Sequence, residues 1–335
     1  MTVRLAVSVG CPCGIGPEVA VVAASKAPRG ARVMLVGDLG AIAAAARTRG
    51  IDAKRLVRVE EAEEAWTIPA RAIAVLEPLS ALVPRDRAPG APTHAAGAAQ
   101  LRWIDVATDL VSSGAADALV TGPVSKDAIA RSGAPGSRGF LGHTEHLARR
   151  LRAREVTMAF HAREIGLTTS LVTTHLALAD VPRAITKKEV ARAAFWTAEF
   201  VARVHARPKP VAIASLNPHA GEKGLLGDEE RTAIAPGIAL ARRRTRVELA
   251  GPIPAESAFR LAASGKYSAV VAMYHDQATI PMKLLGFGDA VNVSLGLPIV
   301  RTSVDHGTAY DRAGKGTADA RGMIEAMRLA VLLAQ

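Results

Sequence analysis

Short apolar runs alternate with longer amphipathic segments along most of the chain. The amphipathic segments predict helices over residues 17–26, 39–49, 95–114, 187–206 and 228–244. The apolar runs, rich in Val, Ile, Leu and Ala, predict buried strands at residues 3–9, 32–36, 72–76, 117–121, 156–160, 166–173, 210–216 and 268–273. Continuous apolar strands separated by helices indicate a parallel sheet that is covered on both faces.

The length of 335 residues is sufficient for two α/β domains. Hydrophobic residues make up 49% of the chain and aromatic residues 4%, so we expect a core built from Ala, Val and Leu. No apolar run approaches the roughly 20 residues that a membrane-spanning helix needs. We therefore expect a soluble protein with no membrane partner.

The net charge of +11 raises the question of nucleic-acid binding. The arginines are scattered along predicted helices, as in "ARRLRARE" and "ALARRRTR", and no aromatic residues lie between them to stack on bases. The charge pattern therefore favours solvated helix faces and attraction for small anionic molecules over nucleic acid.

Cys11 and Cys13, in "GCPCG", are the two cysteines of the sequence. They are one residue apart on a tight turn that contains proline, so we expect them to be poorly placed to bridge each other. No further cysteine is present to pair with either of them. A reducing cytoplasm is the simplest setting for this pattern.

Three histidines, His175, His219 and His275, each follow an apolar run directly. Ligand sites of open α/β sheets lie beyond the carboxyl ends of the strands, so three imidazoles there predict a divalent-metal site, with Asp276 and Glu222 as nearby carboxylates. The spacings of 44 and 56 residues match no local metal motif. Each histidine taken alone is more typical of a hydrogen bond at a strand end than of a metal ligand.

Groups that bind anions occur at other strand ends and in the last fifth of the chain. "ALVTGPVSK" delivers Lys126 after a Gly-Pro turn, and "GFLGHTE" places His143 and Thr144 near a helix start, where Thr144 could also serve as an N-cap. The segment 282–316 adds Lys283, Asn292 and Arg301. The ammonium of Lys283, the amide of Asn292 and the guanidinium of Arg301, which can donate two parallel hydrogen bonds, are groups that bind phosphate.

Two segments are candidates for a nucleotide site. "GCPCGIGPE" follows a strand and precedes a helix, and Asp38 ends the second strand, but its glycine spacing departs from the dinucleotide fingerprint. The segment "DHGTAYDRAGKG" has glycines and small residues that would let a nucleotide approach the backbone.

The motifs "GIGPE", "TGPVSK", "GHTE", "TTHLAL", "NPHAGE", "AMYHDQ", "KLLGFG" and "LGLPIVRTSVDHGTAYDRAGKG" occur in order across nearly the whole chain. Together they resemble the 4-hydroxythreonine-4-phosphate dehydrogenase family of pyridoxal phosphate biosynthesis. The resemblance implies the isocitrate/isopropylmalate dehydrogenase-like fold, with two α/β/α domains, mostly parallel sheets and the active site in the cleft between them. It also implies a homodimer with shared active sites.

The resemblance assigns roles to particular residues and domains. We expect residues 1–130 with 285–335 to form the first domain, which holds the nucleotide loop, and 131–284 to form the second, with the metal ligands and dimer contacts. The implied metal ligands are His175, His219 and His275. The implied substrate-binding residues are His143, Thr144, Lys283, Asn292 and Arg301. The implied cofactor-binding residues are His306, Gly307, Thr308, Ala309 and Gly314. The base stays open among Asp276, Lys126 and a metal-bound water.

The activity implied is oxidation of 4-phosphooxy-L-threonine with NAD or NADP and one divalent metal, which would be Zn²⁺, Co²⁺, Mn²⁺ or Mg²⁺. Two alternatives are a sister enzyme that oxidises D-threonate or D-erythronate 4-phosphate, and an inactive anion-binding homologue. The second alternative arises because Cys11 and Cys13 replace the aspartate and alanine of the family pattern. Glu256 also stands where an aspartate is common.

Overall fold

The computed structural model describes residues 2–286 and 288–335. The chain divides into two compact units, the first formed by Met1–Ala153 and Leu297–Gln335 and the second by Arg154–Gly296. The unit boundaries lie after residue 153 and before residue 297, later than the expected positions 130 and 285.

Strands and helices alternate through both units. The strands are β1 (Val3–Ser8), β2 (Ala31–Val36), β3 (Leu56–Val59), β4 (Ile73–Leu76), β5 (Ala118–Thr121), β6 (Thr157–Ala162), β7 (Leu167–Leu171), β8 (Val211–Ala214), β9 (Leu249–Ile253), β10 (Ala269–Ala272), β11 (Val291–Leu295) and β12 (Val300–Val304). The helices are α1 (Gly16–Ser25), α2 (Leu39–Thr48), α3 (Ala62–Ala65), α4 (His94–Ser112), α5 (Lys126–Arg131), α6 (His143–Arg150), α7 (Val181–Ala184), α8 (Lys187–Val204), α9 (Ala235–Arg242), α10 (Ala255–Ala263), α11 (His275–Leu285) and α12 (Arg321–Ala334). Within the described residues, no helix is both long and apolar enough to cross a bilayer.

The first unit has a parallel sheet in the order β3-β4-β2-β1-β5-β12. The strand β1 pairs in parallel with β2 and with β5, and β12 pairs in parallel with β5. The helices pack large side chains against this sheet, among them Trp103, Ile104 and Ile129, all buried. Burial on both faces explains why these strands are continuous apolar runs in the sequence.

The second unit has a mixed sheet in the order β11-β6-β7-β10-β8-β9. The strands β7, β10, β8 and β9 are parallel, whereas β6 is antiparallel to both β7 and β11. Its core includes Phe160, Phe259 and Met282. The predicted α/β class with mostly parallel sheets is confirmed.

Four strands, β3, β9, β11 and β12, were not predicted from the sequence. Each carries a polar, glycine or proline residue inside a short apolar run, for example Asn292 in β11 and Arg301 in β12. Their neighbours in the sheet supply the hydrogen bonds and burial that favour the extended conformation, which a reading of local composition does not detect.

The helix α11 also went unpredicted, although the strand before it was expected. It contains Pro281, a residue that normally interrupts a helix because it lacks a backbone N–H donor. His275 is the first residue of this helix and comes three residues after the end of β10.

Candidate active site

The carboxyl edge of the sheet in the first unit gathers several candidate residues. The strands β1, β5 and β12 are neighbours there, so the segments that follow them lie side by side. The guanidinium of Arg301, on β12, is only 3% exposed, and its Nη2 donates a hydrogen bond to Thr121 Oγ1 at 2.7 Å. Burial lowers the pKa of Arg301 to about 9, so the side chain stays positively charged at neutral pH.

His143 begins the helix α6 and lies within the electrostatic field of Arg301. The residue is partly exposed as a whole, but its Nε2 atom is buried and has no hydrogen-bond partner in the described part of the chain. Burial holds the pKa of His143 well below its usual 6.5, and the charges of Arg301, His146 and Lys126 act in the same direction. A neutral imidazole with a buried ring nitrogen is suited to a hydrogen bond with a ligand.

The interpretation of Thr144 as an N-cap is wrong. The N-cap of α6 is Gly142, and Thr144 is the second residue of the helix. Lys126, the first residue of α5, lies against Gly142, because a Cβ built there would be 3.6 Å from the lysine Nζ. The first turn of α6 and a lysine ammonium therefore lie together, and both favour negative charge.

The position of α6 is fixed by a buried polar contact with α4. The Nε2 atom of His146 and Oδ1 of Asp105 are 2.7 Å apart, and Arg150 forms an ion pair with Asp109 at 2.6 Å. The ring of Phe140 packs against His146 with a centroid distance of 5.5 Å. These contacts orient the helix that carries His143.

The two nucleotide candidates of the sequence lie next to each other. Ile15 donates its backbone N–H to Thr308 O at 2.9 Å, and Gly314 donates to the buried carboxylate of Glu18 at 2.7 Å. Ala309 and Gly314 adopt positive φ angles of 42° and 75°. The segment 305–316 is thus held by its backbone against the first turn of α1.

The remaining predicted cofactor residues are accessible. His306 and Gly307 are exposed, and a Cβ built on Gly307 would meet no atom within 4 Å. Asp38, by contrast, is buried and caps α2 by accepting from Ala41 N at 2.6 Å. The structure therefore gives Asp38 a structural role, which weakens the dinucleotide interpretation of the N-terminal turn.

The two cysteines lie in the segment between β1 and α1. Cys11 and Cys13 are both fully buried and are free thiols. The Sγ atom of Cys11 lies 3.5 Å from the Tyr310 hydroxyl, and the Sγ atom of Cys13 donates to Asp86 O at 3.3 Å. As expected, the two cysteines are not bridged, and both side chains lie in one small apolar cluster with Ala96.

In the second unit the structure brings His175 and His275 together. Their ring centroids are 5.4 Å apart. Two imidazoles on one tetrahedral Zn²⁺ would have centroids about 5 Å apart, given metal–nitrogen distances of about 2.0–2.1 Å. The Oδ1 atom of Asp276 lies 2.7 Å from His275 Nδ1, which leaves Nε2 of that ring for a metal. This pair fits a divalent cation.

His219 does not join the pair to form a cluster. It lies in a turn, Pro218–Gly224, in which residues 219–223 all have positive φ angles. Among the residues that the structure describes, no group of three or more His, Cys, Asp or Glu side chains is placed to hold a metal. The three-histidine site stays a prediction. Within one chain, two of the three predicted ligands, His175 and His275, lie next to each other.

A buried carboxylate holds the turn that carries His219. Glu230 is 6% exposed, and its Oε1 accepts the backbone N–H groups of Leu216 and Asn217 at 2.9 and 2.8 Å. Its Oε2 also accepts from the Asn217 side chain at 3.0 Å. The sequence analysis missed Glu230, because no local motif links it to a histidine that precedes it by 11 residues.

Gln277 was missed as well, although it lies within the quoted motif "AMYHDQ". Its Oε1 accepts from Met273 N at 2.7 Å, and its Nε2 donates to Ser215 O at 2.9 Å. The side chain therefore ties the end of β10 to the end of β8, the strands that precede His275 and His219.

The other two predicted substrate residues lie on separate elements of the second unit. Lys283 is exposed on α11, and Asn292 is partly exposed on β11, where it pairs with Phe160 of β6.

These features define an α/β enzyme with a candidate anion site in one unit and a pair of metal-competent histidines in the other. The chain belongs to the family described as pyridoxal phosphate biosynthetic protein PdxA, whose model matches residues 29–330. The resemblance found in the sequence is confirmed.

Individual relatives agree with this assignment. The chain is 43% identical over 335 residues to 4-hydroxythreonine-4-phosphate dehydrogenase of Geobacter metallireducens, which covers 99% of this chain and 94% of the relative. The crystal structure of 4-hydroxythreonine-4-phosphate dehydrogenase from Klebsiella pneumoniae is 34% identical, covers 99% of both chains and has a TM-score of 0.81. A terephthalate 1,2-cis-dihydrodiol dehydrogenase from Burkholderia xenovorans is 28% identical, covers 98% of both chains and has a TM-score of 0.68.

The lowered pKa of His143 predicts a pH dependence of stability. Below the usual pKa of 6.5 the unfolded chain binds a proton that the folded chain does not, so folding loses stability as the pH falls. Between about pH 7 and pH 5, the free energy of unfolding, measured by urea denaturation, should therefore fall more steeply for wild type than for His143→Gln, by at most about 1.4 kcal/mol per pH unit. The exposed His94, changed to Gln, serves as the control. Parallel curves for wild type and His143→Gln would contradict the assignment.

Proposed function

We propose that this chain oxidises 4-phosphooxy-L-threonine with NAD or NADP and a divalent metal. The product, 2-amino-3-oxo-4-(phosphooxy)butanoate, then loses carbon dioxide to give 3-amino-2-oxopropyl phosphate, a step of pyridoxine 5'-phosphate biosynthesis. Family membership supports this reaction. The structural observation that carries it is the buried, charged guanidinium of Arg301 beside the start of α6.

The first unit would bind the phosphate group. Arg301 can offer a planar fork of donors, and hydrogen bonds between guanidinium and phosphate are strong because both partners are charged. Lys126 and the N-terminal N–H groups of α6 add positive potential, and His143 and Thr144 add polar contacts. Lys283 and Asn292 of the second unit are the further substrate contacts that we propose. Binding energy from the phosphate would then be available to orient the reacting carbon.

His175, His275 and His219 are the proposed ligands of the cation, which would be Zn²⁺, Co²⁺, Mn²⁺ or Mg²⁺. When bound, the cation would supply Lewis acidity at the substrate hydroxyl and the nicotinamide would accept the hydride. The Asp276 carboxylate fixes the tautomer of His275 through Nδ1. Asp276 and Lys126 remain the candidate groups for taking the hydroxyl proton, and Lys126 could do so only as the neutral amine.

The segment 305–316 is the proposed site of the nicotinamide cofactor, with contacts from His306, Gly307, Thr308, Ala309 and Gly314. Its support is the open space beside Gly307 and the backbone held in place by Glu18 and Ile15. A backbone without side-chain bulk lets a nucleotide approach closely.

We also propose that two copies of the chain associate, with each copy contributing to the other's site. Large apolar side chains are exposed in each of the three segments that carry the proposed metal ligands. They are Leu176 and Leu178 after His175, Leu225 and Leu226 after His219, and Ile280, Leu284 and Leu285 on α11. Exposed apolar side chains concentrated in this way are typical of a surface that becomes buried on association. A second copy could also supply the third metal ligand.

Initial rates of nicotinamide reduction test the reaction directly. We expect turnover of 4-phosphooxy-L-threonine, loss of turnover in excess chelator, and recovery when Zn²⁺ or Co²⁺ is restored. His275→Ala should lose both turnover and bound metal, measured by elemental analysis, because one of two adjacent imidazoles is removed. His94→Ala should keep both, since His94 is exposed at the start of α4.

Other outcomes separate the alternatives. Preferred oxidation of D-threonate or D-erythronate 4-phosphate would identify the sister activity. Phosphate binding without turnover of any of these compounds would identify an inactive anion-binding homologue. Full activity in the presence of chelator would refute the metal assignment.

Changes at Arg301 test the phosphate site. Arg301→Ala should raise KM for the phosphorylated substrate roughly 10–150-fold, the loss expected for a charge-assisted hydrogen bond, with little change in KM for the cofactor. Arg301→Lys keeps the charge and loses the fork, so it should lie between wild type and Arg301→Ala. Circular dichroism should verify folding, because Arg301 is buried against Thr121. A substrate KM within about twofold of wild type in Arg301→Ala would show that the residue is structural.

A further inference from the structure

The helix α4 contacts both of the helices that carry proposed phosphate-binding groups of the first unit. Helix α5 begins with Lys126, and α6 begins with His143. A Cβ built on Gly97 of α4 would clash with the carbonyl oxygen of Ala128, so the backbone of α5 lies directly against that of α4. Only glycine allows two helices to approach this closely at that position.

Gln100 connects α4 to the start of α5. Its side chain has no exposed surface. The Oε1 atom accepts the backbone N–H of Ser125 at 2.9 Å, and Nε2 donates to Ala96 O at 3.0 Å. Ser125 is the N-cap of α5, and its Oγ accepts from Ala128 N at 3.1 Å. A buried amide is costly unless it is hydrogen-bonded, and here one of its bonds fixes the residue that precedes Lys126.

Asp105, five residues further along α4, makes the corresponding contact with α6. Its Oδ1 lies 2.7 Å from Nε2 of His146, a residue that is 7% exposed. The backbone N–H of His146 donates to Gly142 O, at the N-cap of α6, at 3.1 Å. Gly142 is also the residue against which the Lys126 side chain lies. One helix therefore sets the starts of α5 and α6 relative to each other.

We propose that Gln100 and Asp105 are positioning residues of the phosphate site. Gln100 acts on Lys126 by fixing the residue before it, and Asp105 acts on His143 by fixing the helix that His143 begins. The inference rests on the phosphate site proposed above. Groups that are held in place before the anion arrives lose less conformational freedom when they bind it, so binding is tighter.

Binding of inorganic phosphate to the full-length chain, measured by isothermal titration calorimetry, tests the proposal without turnover. Gln100→Leu removes the acceptor for Ser125 N and keeps a side chain of similar size. The phosphate Kd should rise roughly fivefold to twentyfold, because Lys126 is misplaced but still present. Asp105→Ala should raise the Kd to a similar extent. Arg301→Ala should weaken binding more strongly than either, which would show that the phosphate measured is bound at this site.

Thr108→Val is the matched control on the same helix. The Thr108 hydroxyl is fully buried and donates to Ile104 O at 2.7 Å, within α4 itself. Its removal should lower the free energy of unfolding, measured in urea, and leave the phosphate Kd within about twofold of wild type. A role in stability alone predicts this same pattern for Gln100→Leu and Asp105→Ala.

Double variants test whether each residue acts through the group assigned to it. Once Lys126→Met has removed the ammonium, Gln100→Leu should raise the phosphate Kd by at most about twofold more. In the same way, Asp105→Ala should add little once His143→Ala has removed the imidazole.

Two results would overturn the proposal. In the first, folded Gln100→Leu and Asp105→Ala bind phosphate as tightly as Thr108→Val does. In the second, the effects add fully in the double variants. A wild type that binds no phosphate would overturn the proposed phosphate site together with this inference. Failure to oxidise any of the candidate substrates would refute the proposed reaction alone, since the phosphate titrations need no turnover.

Discussion

The buried charge of Arg301 is the constraint on which the candidate anion site depends. A guanidinium removed from water costs several kcal/mol unless negative charge or dipoles compensate for the loss. Thr121 supplies one acceptor, and Glu145 on α6 stabilises the charged form electrostatically. A doubly charged phosphate would stabilise the buried guanidinium much more than these groups do. The cost of burying the charge in the free chain therefore favours binding of an anion. Burial, with the same positive field acting in the same direction, lowers the pKa of His143 and keeps its ring neutral.

Sheet topology explains why the candidate site residues lie at the carboxyl ends of the strands in each unit. In the first unit, β1, β5 and β12 are neighbours, so the cysteine turn, Lys126 and the segment 305–316 follow adjacent strand ends. In the second unit, β7, β10 and β8 are neighbours, and each is followed by one of the three histidines. Gln277 and Glu230 then fix the segments that leave β10 and β8. The parallel arrangement therefore brings together residues that are distant in sequence.

The sequence predicted elements well where burial was continuous along a strand, as in β1 and β10. It failed for β12, because Arg301 interrupts the apolar pattern and only lateral pairing with β5 reveals the strand. The histidines could be identified singly from their positions after strands. Their arrangement relative to one another could not be predicted from the sequence. The left-handed turn at His219 is held by Glu230, and no local sequence pattern indicates this contact. The placement of Cys11 and Cys13 in one apolar cluster likewise depends on how the turn packs, which spacing alone does not determine.

A crystal structure of the chain with its phosphorylated substrate tests the central claim most directly. The account predicts that phosphate oxygens lie about 2.7–2.9 Å from the guanidinium nitrogens of Arg301. It also predicts that the phosphate, or the substrate attached to it, makes a hydrogen bond with His143 Nε2, whose buried nitrogen has no other described partner. A phosphate bound away from Arg301, with the guanidinium keeping its contact with Thr121, would contradict the account.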